Sequence, residues 1–257
     1  MKISAVVPLL MAFPALFLQA EETGPAMSQD ELSAKATDPT ASLLALNFQG
    51  IHAAGYHGDG FPGEPADAWS LQFRPVIPFN FLGHPNILRA TIPYQISGRG
   101  EEGFGPVTLF DLVVFPVSWG RWGIGPVMSF DTTGAAPDGF VLGPAVGGVW
   151  QVNKKVNLGL FSQNVFGGDT AVTSWQPVIA YQLGSGWSLS AGDLQFTYDW
   201  EAGRWVDLPV GFQVGKVTKI GGLPCRFAVN PQYNLKNDRG LSDWSVAFTF
   251  TALFPTF

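Results

Sequence analysis

Residues 172–216 read VTSWQPVIAYQLG, SG, WSLSAGDLQFTYDW, EAG and RWVDLPVGFQVGK, three long runs joined by two very short turns. Within each run, large apolar residues alternate with small or polar ones, which is the two-residue period of a β-strand. Each run holds roughly ten or more residues, about twice the length of a common soluble strand and enough to cross a bilayer as a tilted strand. The stretch therefore predicts three neighbouring strands of a transmembrane β-barrel, with lipid outside and a lumen inside.

The middle run changes parity partway along its length. Trp187 and Leu189 carry the alternation at its start, whereas Phe196 and Tyr198 carry it on the other parity. A β-bulge inserts one extra residue into a strand and so switches which residues face each side. The run therefore predicts a bulge at Gly192-Asp193.

The composition agrees with a membrane-spanning β protein. Charged residues make up 13% of the 257 residues, about half of the usual quarter. After the N-terminus, no apolar run approaches the roughly 20 residues that a transmembrane helix needs. The net charge of -6 comes without a basic patch, which argues against nucleic acid as a partner.

The sequence offers no set of residues for a metal or a cofactor. Cys225 is the single cysteine, so no intrachain disulfide can form. His52, His57 and His84 have no metal-ligand spacing with this cysteine. We therefore predict neither a metal site nor a bound cofactor.

The N-terminus has the pattern of a secretory signal peptide over residues 1–20. Lys2 is followed by an apolar segment that ends at Leu18, and Ala20 is a small residue suited to cleavage. Pro8 and Pro14 interrupt the segment and disfavour the alternative, a membrane-anchoring helix. Together with long alternating strands, a signal peptide points to the outer membrane of a Gram-negative bacterium.

Residues 21–42 are polar and irregular, and they predict an N-terminal tail in the periplasm. Ser28 and Glu31 have the spacing of a capping box, which allows one or two helical turns after them. The alternative is that this segment inserts into the barrel as a plug.

Residues 43–257 predict an all-β domain, an antiparallel up-and-down transmembrane β-barrel of about twelve strands. The connections alternate between two kinds. The longer or more acidic ones lie around Asp59 and Glu64, around Glu101 and Glu102, at 131–138, around Asp169, around Glu201 and at 236–243. The tighter or basic ones lie near His84, near Arg121 and at 153–155, 184–186 and 218–223. Placing the long loops outside the cell puts both termini in the periplasm.

The tryptophans predict two aromatic girdles, because indole rings prefer the headgroup level of a membrane. Those next to the long loops are Trp69, Trp175, Trp200, Trp205 and Trp244. Those next to the short turns are Trp119, Trp122, Trp150 and Trp187.

Strand parity also predicts which polar residues face the lumen. The charged ones are Arg74, Arg89, Asp111, Asp193, Asp207 and Arg226, and the neutral ones are Gln72, Thr91, Gln95, Gln195, Gln213, Asn230 and Gln232. The charged set allows two hypotheses. It forms a constriction that selects solutes by charge and size, or it forms an internal salt-bridge network that closes the lumen.

Prolines inside the predicted strands argue against a regular barrel, because proline removes a donor from the ladder. They are Pro75, Pro93, Pro126, Pro144, Pro177, Pro209 and Pro231. We expect β-bulges at several of these positions.

Several segments in order resemble a known family. They are RPVIPFN, LRATIPY, DLVVFPVSWGRWGIGP, GLFSQNVFGGD, WQPVIAYQL and VDLPVGFQVGKV. Over residues 38–255 the chain is similar to the outer-membrane family labelled "meta-pathway of phenol degradation", whose members are described as transporters or misnamed neuromedin U. Where the family commonly has Gly-Asp, this chain has Phe110-Asp111. The resemblance implies an outer-membrane barrel with a channel or uptake role, and the family label suggests hydrophobic or aromatic solutes.

The expected function is therefore a passive channel or uptake porin for small solutes. Alternatives are a non-conducting structural or surface-interaction barrel, an outer-membrane lipid enzyme that uses the outward-facing His52, and a secreted β-sandwich. No serine motif or ordering acid accompanies His52 in the sequence, so we do not expect an enzyme. Expected partners are outer-membrane lipid, lipopolysaccharide and, because the chain ends in Phe257, the barrel assembly machinery. The solute is not identified.

Overall fold

The computed structural model describes residues 27–56, 65, 67–98, 102–131, 139–236 and 242–255. The predicted signal peptide at 1–20 and the C-terminal Phe257 lie outside these residues. Within the described residues, one helix, α1 (Gln29–Ala36), precedes the strands. Across the described ranges, no helix combines the length and apolarity that crossing a membrane requires.

Twelve strands follow the helix, three of them divided into segments. They are β1 (Leu44–Ala53), β2 (Ala68–Phe81), β3 (His84–Ser97), β4 (Gly103–Phe104 and Val107–Val117), β5 (Gly120–Phe130), β6 (Phe140–Gln151), β7 (Val156–Gly167), β8 (Thr170–Gly184), β9 (Trp187–Ser190 and Phe196–Asp199), β10 (Arg204–Asp207, Pro209–Gly211 and Gln213–Ile220), β11 (Leu223–Asn234) and β12 (Trp244–Phe254).

Each strand pairs antiparallel with the next, and β12 pairs with β1, so the sheet closes on itself. Leu44 lies opposite Phe254 and Ala53 lies opposite Ser245 across the closing pair. This confirms the predicted closed, up-and-down barrel of twelve strands. Closure leaves no free sheet edge, as a barrel in lipid requires.

The connections between strands separate into two ends of the barrel. The turn end carries the connections at 82–83, 118–119, 152–155, 185–186 and 221–222. The loop end carries the others, and the predicted loop residues Asp59, Glu64 and Glu101 lie outside the described residues. The predicted alternation of the two kinds of connection is confirmed.

The outer surface of the barrel is apolar. Phe48, Leu71, Leu160 and Ile179 point outward from four different strands and are between 45% and 55% exposed. Soluble monomers rarely expose a continuous apolar belt of this kind, whereas a barrel in lipid requires one.

The tryptophans lie near the strand ends. Trp69, Trp119, Trp150, Trp187, Trp200, Trp205 and Trp244 are exposed, while Trp122 and Trp175 are partly covered by ring contacts with Phe115 and Trp205. That these tryptophans form two girdles at the membrane surfaces stays a prediction.

The prolines do not generally produce bulges, so that expectation is wrong for most of them. Pro126 and Pro144 lie directly opposite each other in the β5–β6 pair, and Pro231 lies opposite Val246 in register. Across from Pro75 the β2–β3 pairing is interrupted and resumes in the same register. A pair of strands thus tolerates a proline, which lacks the amide donor, as a local gap in its hydrogen bonds, because the neighbouring hydrogen bonds keep the register.

The predicted bulge at Gly192-Asp193 is confirmed. Ser190 lies opposite Ala180 on β8, and pairing resumes with Phe196 opposite Trp175, so β9 uses one residue more than β8. Gly192 has a φ of 67°, and a Cβ there would lie 2.8 Å from Cβ of Gln213. The bulge therefore passes close to β10 where only glycine fits.

The inside of the barrel at the turn end is a packed apolar core. Val149, Val217 and Leu253 come from distant strands and are 0% exposed, and Leu32 of α1 is 1% exposed in the same cluster. Apolar side chains therefore occupy this part of the lumen.

Gly159 allows β6 and β7 to approach closely, because a Cβ there would lie 2.2 Å from the carbonyl oxygen of Gly148. We expect Gly159→Ala to lower the free energy of unfolding by about 1–3 kcal/mol, the usual cost of overpacking. Urea unfolding followed by tryptophan fluorescence measures this loss. Gly50→Ala is the matched control, since its Cβ would meet only Leu71 Cδ2 at 3.8 Å. Equal stability of the two variants would show that the contact at Gly159 relaxes without cost.

Candidate functional site

The strand register places polar inward residues side by side at mid-height in the barrel. Arg226 on β11 lies opposite Thr251 on β12, Thr251 lies opposite Asn47 on β1, and Asn47 lies opposite Arg74 on β2. Thr251 donates a hydrogen bond of 2.6 Å to Asn47 Oδ1, and Asn47 donates one of 2.9 Å to the Arg74 carbonyl. Four neighbouring strands therefore present one connected polar row to the lumen.

Asp193 meets this row from the other side of the lumen, because the bulge in β9 carries it inward. Its Oδ2 lies 3.0 Å from Nη1 of Arg74 and accepts a 2.8 Å hydrogen bond from Gln49 Nε2. The Asp193 amide donates to Asn230 Oδ1 at 3.3 Å. The carboxylate is thus held in the lumen between β1, β2 and β11.

Arg89 and Arg226 lie at the same level. The Arg89 guanidinium lies over the Phe110 ring, with Cζ 5.3 Å from the ring centroid. Arg226 is 5% exposed and donates a 2.7 Å hydrogen bond to Gln213 Oε1. We call Arg74, Arg89, Arg226 and Asp193 the arginine layer, which carries three positive charges and one negative charge, a net charge of +2.

Two cavities meet at the arginine layer. On the loop-end side lies a vestibule of about 540 Å³. Its polar lining includes Gln72, Thr91, Thr108, Ser129, Ser174 and Gln232. On the turn-end side lies a smaller cavity of about 110 Å³, which Thr37 and Pro39 border. Arg74, Arg89 and Asp193 line both cavities, so a solute that passes along the lumen must cross the layer.

Residues 27–43, which we call the plug, fill the turn end beneath this layer. Ser28 caps α1 through the expected capping box with Glu31, and hydrogen bonds from the Ser28 amide and hydroxyl hold the pKa of Glu31 below its usual value. Asp30 accepts a hydrogen bond from the Gly186 amide, and Leu32 enters the apolar core.

An ion pair joins the plug to the barrel wall. Asp38 pairs with Arg121 on β5, and the Asp38 side chain is 1% exposed. Asp38 also accepts hydrogen bonds from the amide of Thr40 at 2.8 Å and from its hydroxyl at 2.6 Å. The prediction of a polar tail at 21–42 is therefore corrected for its described residues, which form the plug, because apolar packing and this ion pair seat them in the barrel.

The structure brings four of the six predicted charged lumen residues together, as the arginine layer. Asp207 lies apart from them, toward the loop end, beside Leu208, whose amide donates a 3.1 Å hydrogen bond to Asn234 Oδ1.

Asp111 faces outward, so its predicted lumen position is wrong. Its neighbours Phe110, Leu112 and Val114 are 9%, 1% and 4% exposed and face the inside. Asp111 pairs with Leu88, whose neighbour Arg89 faces the lumen. The prediction assumed that large apolar residues face lipid, but the apolar core inside the barrel reverses that rule on β4.

Two parts of the site were missed in the sequence. Gln49 has the opposite parity to Leu46 and Phe48 on β1, so the parity rule would have found it. Asp38 and Arg121 are 83 residues apart, and no local pattern signals that they meet.

His52 faces outward, as expected. Its ring stacks on Trp69 with centroids 4.4 Å apart, and Nε2 lies 3.2 Å from Oδ2 of Asp67. The structure therefore supplies an acid beside His52 that the sequence did not reveal. Among the described residues, no group of three or more His, Cys, Asp or Glu side chains is placed to hold a metal ion.

Comparisons with known proteins support the fold. No family model matches the chain, and no curated protein matches it. Among solved structures, an outer-membrane channel from Pseudomonas putida F1 is similar with a TM-score of 0.55 and 11% identity, covering 82% of this chain and 96% of that one. The NanC porin is similar with a TM-score of 0.51 and 12% identity, covering 81% and 98%. The chain thus has the fold of outer-membrane β-barrels, and the finer family label stays a hypothesis.

Proposed function

We propose that the protein is an outer-membrane channel for small solutes, and that the plug closes its turn end. The observation that supports this most is the polar vestibule, which leads directly to the arginine layer in mid-lumen. A barrel with only a structural role needs neither a polar cavity nor three arginines inside it. The similar solved structures named a channel and a porin agree with this proposal.

We infer that the turn end can conduct once the plug leaves. The inward side chains there are apolar and of mixed size, from Ala45 and Val149 to Ile87, Leu112 and Leu253. A twelve-stranded barrel is wider than the eight-stranded barrels whose own side chains fill them. Movement of the plug would therefore open the turn end.

The proposal includes an orientation. We place the loop end outside the cell and the turn end, with both termini, in the periplasm, as in outer-membrane barrels generally. Outer-membrane lipid and lipopolysaccharide would surround it, and the barrel assembly machinery would insert it. That the solutes are hydrophobic or aromatic stays a hypothesis, which rests on the family resemblance. The arginine layer by itself favours charged solutes.

Conductance and liposome swelling with solutes of graded size test the proposal on the full chain. We expect small solutes to permeate and larger ones to be excluded. Heat-modifiable migration on gels verifies that the barrel is folded in each preparation. A folded barrel that neither conducts nor swells liposomes, with the plug present or removed, would instead favour the non-conducting structural barrel.

The lipid-enzyme alternative has one observation in its favour, the His52–Asp67 pair at 3.2 Å on the outer surface. Phospholipase activity in the wild-type chain that disappears in His52→Ala would support it. We expect no such activity, because a nucleophile is also required.

A further inference from the structure

Arg226 is a buried cation whose hydrogen-bonding capacity is only partly used. It is 5% exposed, and it donates to Gln213 Oε1. No described residue accepts a hydrogen bond from its Nε, although the side chain lines the smaller cavity. A buried guanidinium normally has its donors satisfied, so an unpaired donor on a side chain that lines a cavity points to a ligand.

Arg89 has the same feature across the cavity. Its Nε also finds no acceptor among the described residues, and it lines both cavities. The only carboxylate in the arginine layer, Asp193, pairs with Arg74. Two positive charges of the layer therefore have no carboxylate partner within it. The two unpaired Nε donors belong to Arg89 and Arg226, the arginines that do not pair with Asp193.

Gly215 on β10 sets the position of Arg226. A Cβ at Gly215 would lie 2.4 Å from Nη2 of Arg226 and 2.7 Å from its Cζ and Nε. The guanidinium thus packs flat against the bare backbone of a neighbouring strand. Any side chain at Gly215 would displace it from the cavity.

We propose that Arg226 and Arg89, with Arg74 beside them, form a binding site for the carboxylate group of a small organic acid. Guanidinium groups hold carboxylates through paired, charge-assisted hydrogen bonds. The carboxylate would occupy the smaller cavity, and the rest of the molecule would extend into the vestibule. This deepens the proposed channel function, on which it rests, by naming the class of solute.

Asp193 acts in this site as a built-in competitor. Its carboxylate occupies one arginine and lowers the positive charge that a ligand meets. Loss of its charge is therefore expected to strengthen ligand binding, whereas loss of Arg226 weakens it. If the four charges form only a structural network, neither loss of the Asp193 charge nor loss of Arg226 strengthens ligand binding.

Calorimetry on the full chain, folded in detergent, tests the proposal with benzoate as the probe and benzamide as its neutral analogue. We expect benzoate to bind and benzamide not to bind. Arg226→Gln is expected to weaken benzoate binding by about tenfold or more, the effect of removing a charged hydrogen bond. Gly215→Ala is expected to weaken it similarly while keeping the arginine, and Asp193→Asn is expected to strengthen it.

Arg204→Gln is the matched control, since it removes the same charge from an exposed position at the loop end. Equal binding of benzoate and benzamide, or equal effects of Arg226→Gln and Arg204→Gln, would overturn the proposal. Binding of inorganic phosphate without benzoate would overturn the carboxylate assignment. If Arg226→Gln does not fold, the benzoate affinities of Gly215→Ala and Asp193→Asn still test the proposal. Because binding is measured in detergent, a non-conducting barrel that binds benzoate would contradict the channel and leave the site intact.

Discussion

Arg121→Gln is expected to convert a mostly closed barrel into one that opens frequently in planar bilayers. Asp38 is buried in the plug with its side chain 1% exposed, and Arg121 is its charged partner. Removing one partner of a buried ion pair leaves an uncompensated charge, which costs about 3 kcal/mol at the lower end of measured values. That cost equals about a hundredfold shift from docked toward undocked plug. Single-channel recording measures the shift as open probability.

Two further variants make the plug experiment decisive. Deleting residues 29–40 removes α1 together with Asp38, so it is expected to give a permanently open barrel. Lys219→Gln removes a positive charge from an exposed position near the turn end and is expected to leave gating unchanged. If the deletion variant folds and still does not conduct, the plug is not the gate, and the apolar wall itself closes the lumen.

We expect the open channel to prefer anions, and neutralising Arg74 and Arg89 together is expected to abolish this preference. The arginine layer carries a net charge of +2, and Arg74→Gln with Arg89→Gln leaves only Arg226 against Asp193. A constriction selects ions through the charge that lines it. Reversal potentials across a salt gradient are therefore expected to move from the anion side toward zero.

A matched double variant separates charge from structure in this experiment. Arg74→Gln with Asp193→Asn removes the 3.0 Å ion pair but keeps the net charge of the layer. It is expected to retain anion preference while losing some stability. An unchanged reversal potential in the Arg74/Arg89 variant, with folding intact, would assign these arginines to an internal structural network.

Local alternation of residues determined the strands, their antiparallel meander, the two kinds of connection and the bulge at Gly192. It also placed Arg74, Arg89, Asp193 and Arg226 on the inner face. These features were predictable because a strand has a period of two, and lipid demands apolar side chains on one face.

Tertiary structure alone decided what fills the lumen. Phe110, Leu112 and Val114 face inward on β4 because the turn end of the barrel is an apolar core, and this turns Asp111 outward. The plug is seated by Asp38 and Arg121, which local sequence does not connect. Period-two alternation distinguishes the two faces of a strand, but which face is inside depends on groups that come together only when the barrel closes.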